Sequence, residues 1–178
     1  MSLTEREKPT AIFLSPEVKE KCEKRGVVAF IFNRKGEVLL VRENSGRKDT
    51  GGIEGSYGVI CETANEGETC WQTFRRGVLE ELGLDPQQMV LFRIDPEGSF
   101  LGETLFMEGV LAQVVAVGWT GDESTLLSTQ GDGEVTPVGW VRTENLANYQ
   151  LRPGVRNVLE ACSQHHALDD VWKRIFKT

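Results

Sequence analysis

Apolar and polar positions fall into two kinds of pattern along this chain. Gly26 to Asn33 and Glu37 to Arg42 are β-branched, apolar runs divided by Arg34-Lys35-Gly36, which predicts a hairpin. Tyr57 to Ile60 predicts a short strand. Gln88 to Ile94 and Leu105 to Val117 predict strands around a polar turn at Asp95 to Gly98, and Gly118 to Gly133 reads as loop. Elsewhere the spacing is helical. Trp71, Phe74, Val78 and Leu82 recur three and four apart, predicting a helix from about Thr69 to Leu82. Thr69 and Gln72 fit a capping box at its start, and Gly83 stands just past its end. Ser15-Pro16-Glu17 opens a short helix to about Lys24, and Pro153 opens another through about Ser163. Leu168, Val171, Trp172, Ile175 and Phe176 predict a last helix, whose apolar side leaves room for a homodimer contact.

The central helix changes the picture from architecture to chemistry. Its polar side is expected to carry Arg76, Glu80 and Glu81, and helix geometry makes positions 77, 80 and 81 neighbours. Two adjacent carboxylates repel each other unless a cation lies between them, and oxygen ligands of this kind suit Mg²⁺ or Mn²⁺. An isolated Glu pair would read as a solvated helix end, although the helix dipole disfavours negative charge there. Gly77 leaves a gap on this face, and Glu62 in the preceding loop is a candidate to fill it. Glu134 follows the Gly131-Asp132-Gly133 turn as a further loop carboxylate. Residues 43 to 56 form an aperiodic loop in which Arg47 and Lys48 are candidate contacts for an anionic ligand, or simply solvated surface.

Composition narrows the partners. With 178 residues, 39% hydrophobic and 26% charged, the chain is expected to form a soluble domain over residues 26–178, preceded by an extension with a short helix over 1–25. The net charge of −7 argues against nucleic acid and anionic membrane as partners, so a phosphate-bearing ligand needs a cation or a few local basic groups. Cys22, Cys61, Cys70 and Cys162 form no CxxC pair, which fits reduced thiols and a cytoplasmic protein. The longest apolar run, Val27 to Phe32, is too short to span a bilayer.

These residues resemble the Nudix (MutT-like) family, whose box reads Gly, five residues, Glu, seven residues, then Arg-Glu-U-x-Glu-Glu-x-Gly-U, with U aliphatic. Glu68, Arg76, Val78, Glu80, Glu81, Gly83 and Leu84 match at the family spacing, while Glu62 stands where the family has Gly and Gly77 where it has Glu. The resemblance covers about residues 26 to 160. It implies an α/β/α sandwich with a mixed, partly antiparallel sheet, and metal-dependent hydrolysis of a nucleoside diphosphate linked to another moiety. It implies metal binding by Glu80 and Glu81, orientation of carboxylates by Arg76, and a partnering role for Glu68. It further implies that Glu134 acts as general base or additional ligand, and that the carbonyl of Cys61, in the place of a family glycine, serves as another ligand.

Two alternatives accompany that reading. The altered box is also compatible, in second place, with a nucleotide-binding or regulatory module that no longer cleaves. Cys61 and the Arg75-Arg76 pair also resemble isopentenyl diphosphate isomerase of the same fold. That enzyme builds its metal site from histidines, one of them two residues after the cysteine, where this chain has Thr63.

Overall fold

The structure is a computed structural model that describes residues 12, 14–46, 52–85, 92–93 and 99–177. Its centre is β1 (Lys24–Phe32), whose Val27 to Phe32 run is buried on both sides. Val27, Ala29 and Ile31 point to one face of the sheet, and Val28, Phe30 and Phe32 to the other. Such a continuously apolar strand needs cover on both faces. It has parallel and antiparallel neighbours: β7 (Val110–Trp119) runs parallel to it from Lys24↔Val110 to Phe32↔Gly118. β4 (Ile60–Thr63) and β2 (Glu37–Glu43) pair with it antiparallel. β3 (Tyr57–Gly58) and β8 (Val135–Arg142) pair with β2, and β5 (Phe92–Arg93) and β6 (Phe100–Met107) with β7, completing a mixed sheet.

Helices cover both faces. On one side α2 (Cys70–Leu82) places Phe74, Val78 and Leu82 on Val27, Ala29 and Ile31, joined by Leu126 of α3 (Glu123–Leu127). On the other, α4 (Pro153–Gln164) and α5 (Val171–Ile175) seat Val155, Val158, Cys162, Val171 and Ile175 on Val28, Phe30 and Ala116. Each fully buried aliphatic or aromatic side chain contributes about 1.5–3 kcal/mol of transfer free energy, so both helical layers are held mainly by these stripes. The α/β/α sandwich with a mixed sheet matches the expectation.

Several boundaries differ from it. Strand β4 continues through Cys61 and Glu62 to Thr63, with Val28↔Cys61 and Val27↔Glu62 in register, so these residues lie in a paired strand and not in the loop expected after Ile60. The run from Leu105 to Val117 is two antiparallel strands, because Glu108 and Gly109 form a tight turn with Gly109 at φ 75°. Glu108 is exposed in that turn. The expected loop over 118–133 contains α3, whose N-cap Asp122 accepts N–H bonds from Ser124 and Thr125. The first helix, α1, is only Pro16–Glu20, and the last begins at Val171. Arg47, Lys48 and the turn at Asp95 to Gly98 lie outside the described residues. Among the described residues no helix is long and apolar enough to cross a membrane.

Candidate active site

Helix α2 begins and ends where its local sequence directs. Thr69 Oγ1 accepts the Gln72 N–H at 3.2 Å while Gln72 Oε1 accepts the Thr69 N–H at 2.8 Å, a reciprocal capping box. At the other end Gly83 adopts φ 67° and donates its N–H to the Leu79 carbonyl. Between them Thr73, Gly77 and Glu81 form one buried row at four-residue spacing. The exposed polar side expected for Glu81 is therefore corrected: it is 2% exposed, whereas the Glu80 side chain is 44% exposed.

Arg76 gathers the carboxylates. Its Nε and Nη2 donate to the two oxygens of Glu68 at 2.9 and 3.0 Å, a bidentate fork. Nη1 lies 3.0 Å from Glu62 Oε1 and 3.4 Å from Glu80 Oε2, and Nη2 also donates to the Thr63 carbonyl. Glu62, Glu68 and Glu80 thus converge on one guanidinium from strand, loop and helix. The fork, followed by the Asn65 N–H, holds the Glu68 carboxyl down at about 2. Burial pushes the Glu62 carboxyl up, Arg76 opposes that, and Glu80 adds to it.

Gly77 explains how Glu62 reaches this cluster. A Cβ placed on Gly77 would lie 2.8 Å from Glu62 Cβ and 3.2 Å from Glu62 Cγ. The strand carboxylate therefore passes through the space where a helix side chain would begin, in the same row as Glu81. Glu62 and Gly77 are a complementary pair: only a residue without Cβ on the helix admits the glutamate from the strand.

A second contact brings the loop before β8 onto the end of α2. The Asp132 N–H donates to the Glu80 carbonyl at 2.6 Å, and a Cβ on Gly131 would fall 2.0 Å from that same oxygen. This puts Glu134 two residues beyond a direct contact with the helix that carries Glu80 and Glu81. Cys61 is buried in the core facing α4 and lines a pocket with Val28, Glu62, Phe106, Ala112 and Arg152. Sequence reasoning did not single out Arg152 or its partner Glu43. Both are buried, with Arg152 Nη1 3.0 Å from Glu43 Oε1 and its guanidinium 5.1 Å from the Phe106 ring centre.

The donor set, all carboxylate oxygen, is of the kind that holds a hard divalent cation, and two of its members already turn to one cationic nitrogen. In kind, then, the residues fit such an ion. Among the described residues, however, no three His, Cys, Asp or Glu side chains are gathered closely enough to bind it as they stand. Arg76 occupies the position between Glu62 and Glu80.

The Arg76 fork has a consequence for acid stability. Because the folded Glu68 carboxyl lies below its ordinary 4.5, the stabilisation is fully present above that pH and is lost as pH falls towards about 2. Glu68→Gln is expected to flatten the stability curve across that window. Thermal melts that show the same acid-side decline in both proteins would remove the fork from the account.

Comparisons with known proteins bear on the family and the fold. The family model described as NUDIX domain matches residues 23–162. The fold is similar to that of DR0079 from Deinococcus radiodurans, at 18% identity and TM-score 0.58 over 88% of each chain. A MutT protein from Methanosarcina mazei is 23% identical at TM-score 0.52, covering 85% of this chain and 91% of its own. An ADP-ribose pyrophosphatase from Streptococcus suis is 17% identical at TM-score 0.50, covering 86% and 92%. Identities this low show a shared fold alone. No curated protein matches the chain by sequence. With most of its length matched by the family model, with the box helix capped as its sequence predicts and with Arg76 at the centre of the box carboxylates, the chain belongs to the Nudix family.

Proposed function

We propose that this protein is a metal-dependent hydrolase of a nucleoside diphosphate linked to another moiety, working with a rearranged carboxylate set. The observation that carries the proposal is the seating of Glu62 against Gly77: the carboxylate that the family places on the helix comes here from β4. Glu62, Glu80 and Glu81 would hold Mg²⁺ or Mn²⁺, with the Cys61 carbonyl as a further oxygen near the end of the same strand. A divalent cation bound there screens the phosphate charge and acidifies the attacking water. Arg76 orients Glu62 and Glu80 through charge-assisted bonds, and Glu68 fixes Arg76 with its fork. Glu134 takes the proton from the attacking water, or holds the ion as an additional ligand. The described relative that is an ADP-ribose pyrophosphatase makes ADP-ribose the first compound to test.

The test is monophosphate or phosphate release from ADP-ribose, nucleotide sugars, dinucleoside polyphosphates and nucleoside triphosphates, with and without Mg²⁺ or Mn²⁺. Turnover is expected only with metal, and Glu81→Gln is expected to lose it. Ligand-induced thermal stabilisation with no turnover from any compound would instead assign the fold to a binding module.

A further inference from the structure

We propose that Asn44 and Asp132 are positioning residues that lock the backbone of Glu134 in register with the last turn of α2. The inference rests on the reading of Glu134 as the site's loop carboxylate and extends it to groups that touch neither metal nor substrate.

The ties run on both sides of Glu134. Its N–H donates to Asp132 Oδ1 at 2.9 Å, and its carbonyl accepts the Asn44 N–H at 2.9 Å. Asn44 also grips the flanking residues: Nδ2 donates to the Gly133 carbonyl at 2.9 Å and to Thr136 Oγ1 at 2.8 Å, while Oδ1 accepts from the Thr136 hydroxyl at 3.1 Å. One asparagine, placed immediately after β2, thus brackets positions 133 to 136. Asp132 carries the restraint onward, since its own N–H donates to the Glu80 carbonyl. Gly131 lets the loop come this close, because any Cβ there would overlap the Glu80 and Glu81 backbone. The result is a continuous path of hydrogen bonds from β2 through Glu134 to the helix end that bears Glu80 and Glu81.

A glutamate on a surface loop ordinarily samples many positions. Here both its backbone groups are engaged, which fixes the point from which its side chain starts. Hydrogen bonds at such accessible positions contribute little to global stability, whereas displacing a reacting group by about 1 Å can cost around a hundredfold in rate. The two effects separate in experiment.

Asn44→Ala, Asp132→Ala and Asp132→Asn would be made alone and together with Glu134→Gln. On the panel compound that the wild type hydrolyses with Mg²⁺, Asn44→Ala and Asp132→Ala are expected to lower kcat about tenfold or more at nearly unchanged KM and melting temperature. Asp132→Asn keeps the acceptor oxygen and is expected to restore kcat. Neither alanine change should lower kcat further in the Glu134→Gln protein. Amide hydrogen exchange on the metal-free protein gives an independent reading: the Glu134 amide should be protected in the wild type and in Asp132→Asn and should exchange faster in Asp132→Ala. An unprotected wild-type amide, or rate losses that persist undiminished beside Glu134→Gln, would overturn the proposal. Wild-type kcat in Glu134→Gln itself would overturn the reading of Glu134 and with it the catalytic purpose of the clamp, even where exchange shows the clamp to exist.

Discussion

Gly77→Ala is expected to destabilise this protein, and the same change is expected to stabilise it once Glu62 has been replaced by Gly. In an ordinary helix interior, Gly→Ala gains about 1 kcal/mol through helix propensity. Here the new Cβ would meet Glu62 Cβ at 2.8 Å and Cγ at 3.2 Å. These atoms sit next to the β4 backbone, which is paired with β1 at Val27↔Glu62, so they cannot swing aside as the end of a flexible chain would. Overpacking of this kind costs about 1–3 kcal/mol and outweighs the propensity gain. With Glu62→Gly the obstacle is gone and the propensity term is left. Urea unfolding of the four proteins in the cycle should give a coupling of roughly 1–3 kcal/mol. Equal effects of Gly77→Ala in both backgrounds would mean that Glu62 does not occupy that space.

The same cycle, extended to Gly77→Glu, addresses the chemistry. Glu62→Gly combined with Gly77→Glu moves the carboxylate from strand to helix within one row of α2, four residues before Glu81. The double variant is expected to keep Mn²⁺ binding, read by electron paramagnetic resonance, whereas Glu62→Gly alone weakens it and Gly77→Glu alone misfits. A double variant no better than either single one would show that the two positions are not exchangeable.

Arg152→Met should produce the largest loss of stability. Arg152 and Glu43 are 3% and 4% exposed, and the guanidinium also covers Phe106. Met preserves much of the packing volume but leaves the Glu43 carboxylate buried without the cation at 3.0 Å, which costs about 3–5 kcal/mol. Replacing Glu43 by Leu in the same protein is expected to recover most of that loss, because a buried pair and a well-packed apolar pair are often similar in stability. Chemical denaturation decides it, and a loss below about 1 kcal/mol for Arg152→Met would show that solvent reaches the pair and screens it.

Much of α2 could be read before any coordinates. Its stripe, capping box and terminal glycine are set by residues within four positions of one another, and local geometry alone brings them together. Strands β1 and β2 were legible for the same reason, as β-branched apolar runs around the short polar turn at Arg34-Lys35-Gly36. The gap at Gly77 could also be seen, and Glu62 nominated to fill it, since both stand out against an otherwise matching box. Short or interrupted elements were less legible. The run from Leu105 to Val117 looks like one strand because the apolar pattern continues past Glu108 and Gly109, while α3 is a single turn or so, too short for helical periodicity to register.

Sequence by itself therefore determined the fold class, the helix that carries Arg76, Glu80 and Glu81, and the family to which the chain belongs, because these follow from spacing along the backbone. Tertiary structure decided which carboxylates meet. Glu62 reaches Arg76 only because β4 runs beside the Gly77 row. Glu43 and Arg152 pair across 109 positions, and Asn44 grips the loop of Glu134 across 89 to 92. Contacts at such separations are set by strand pairing and by the packing of helices on the sheet, and no local periodicity encodes them.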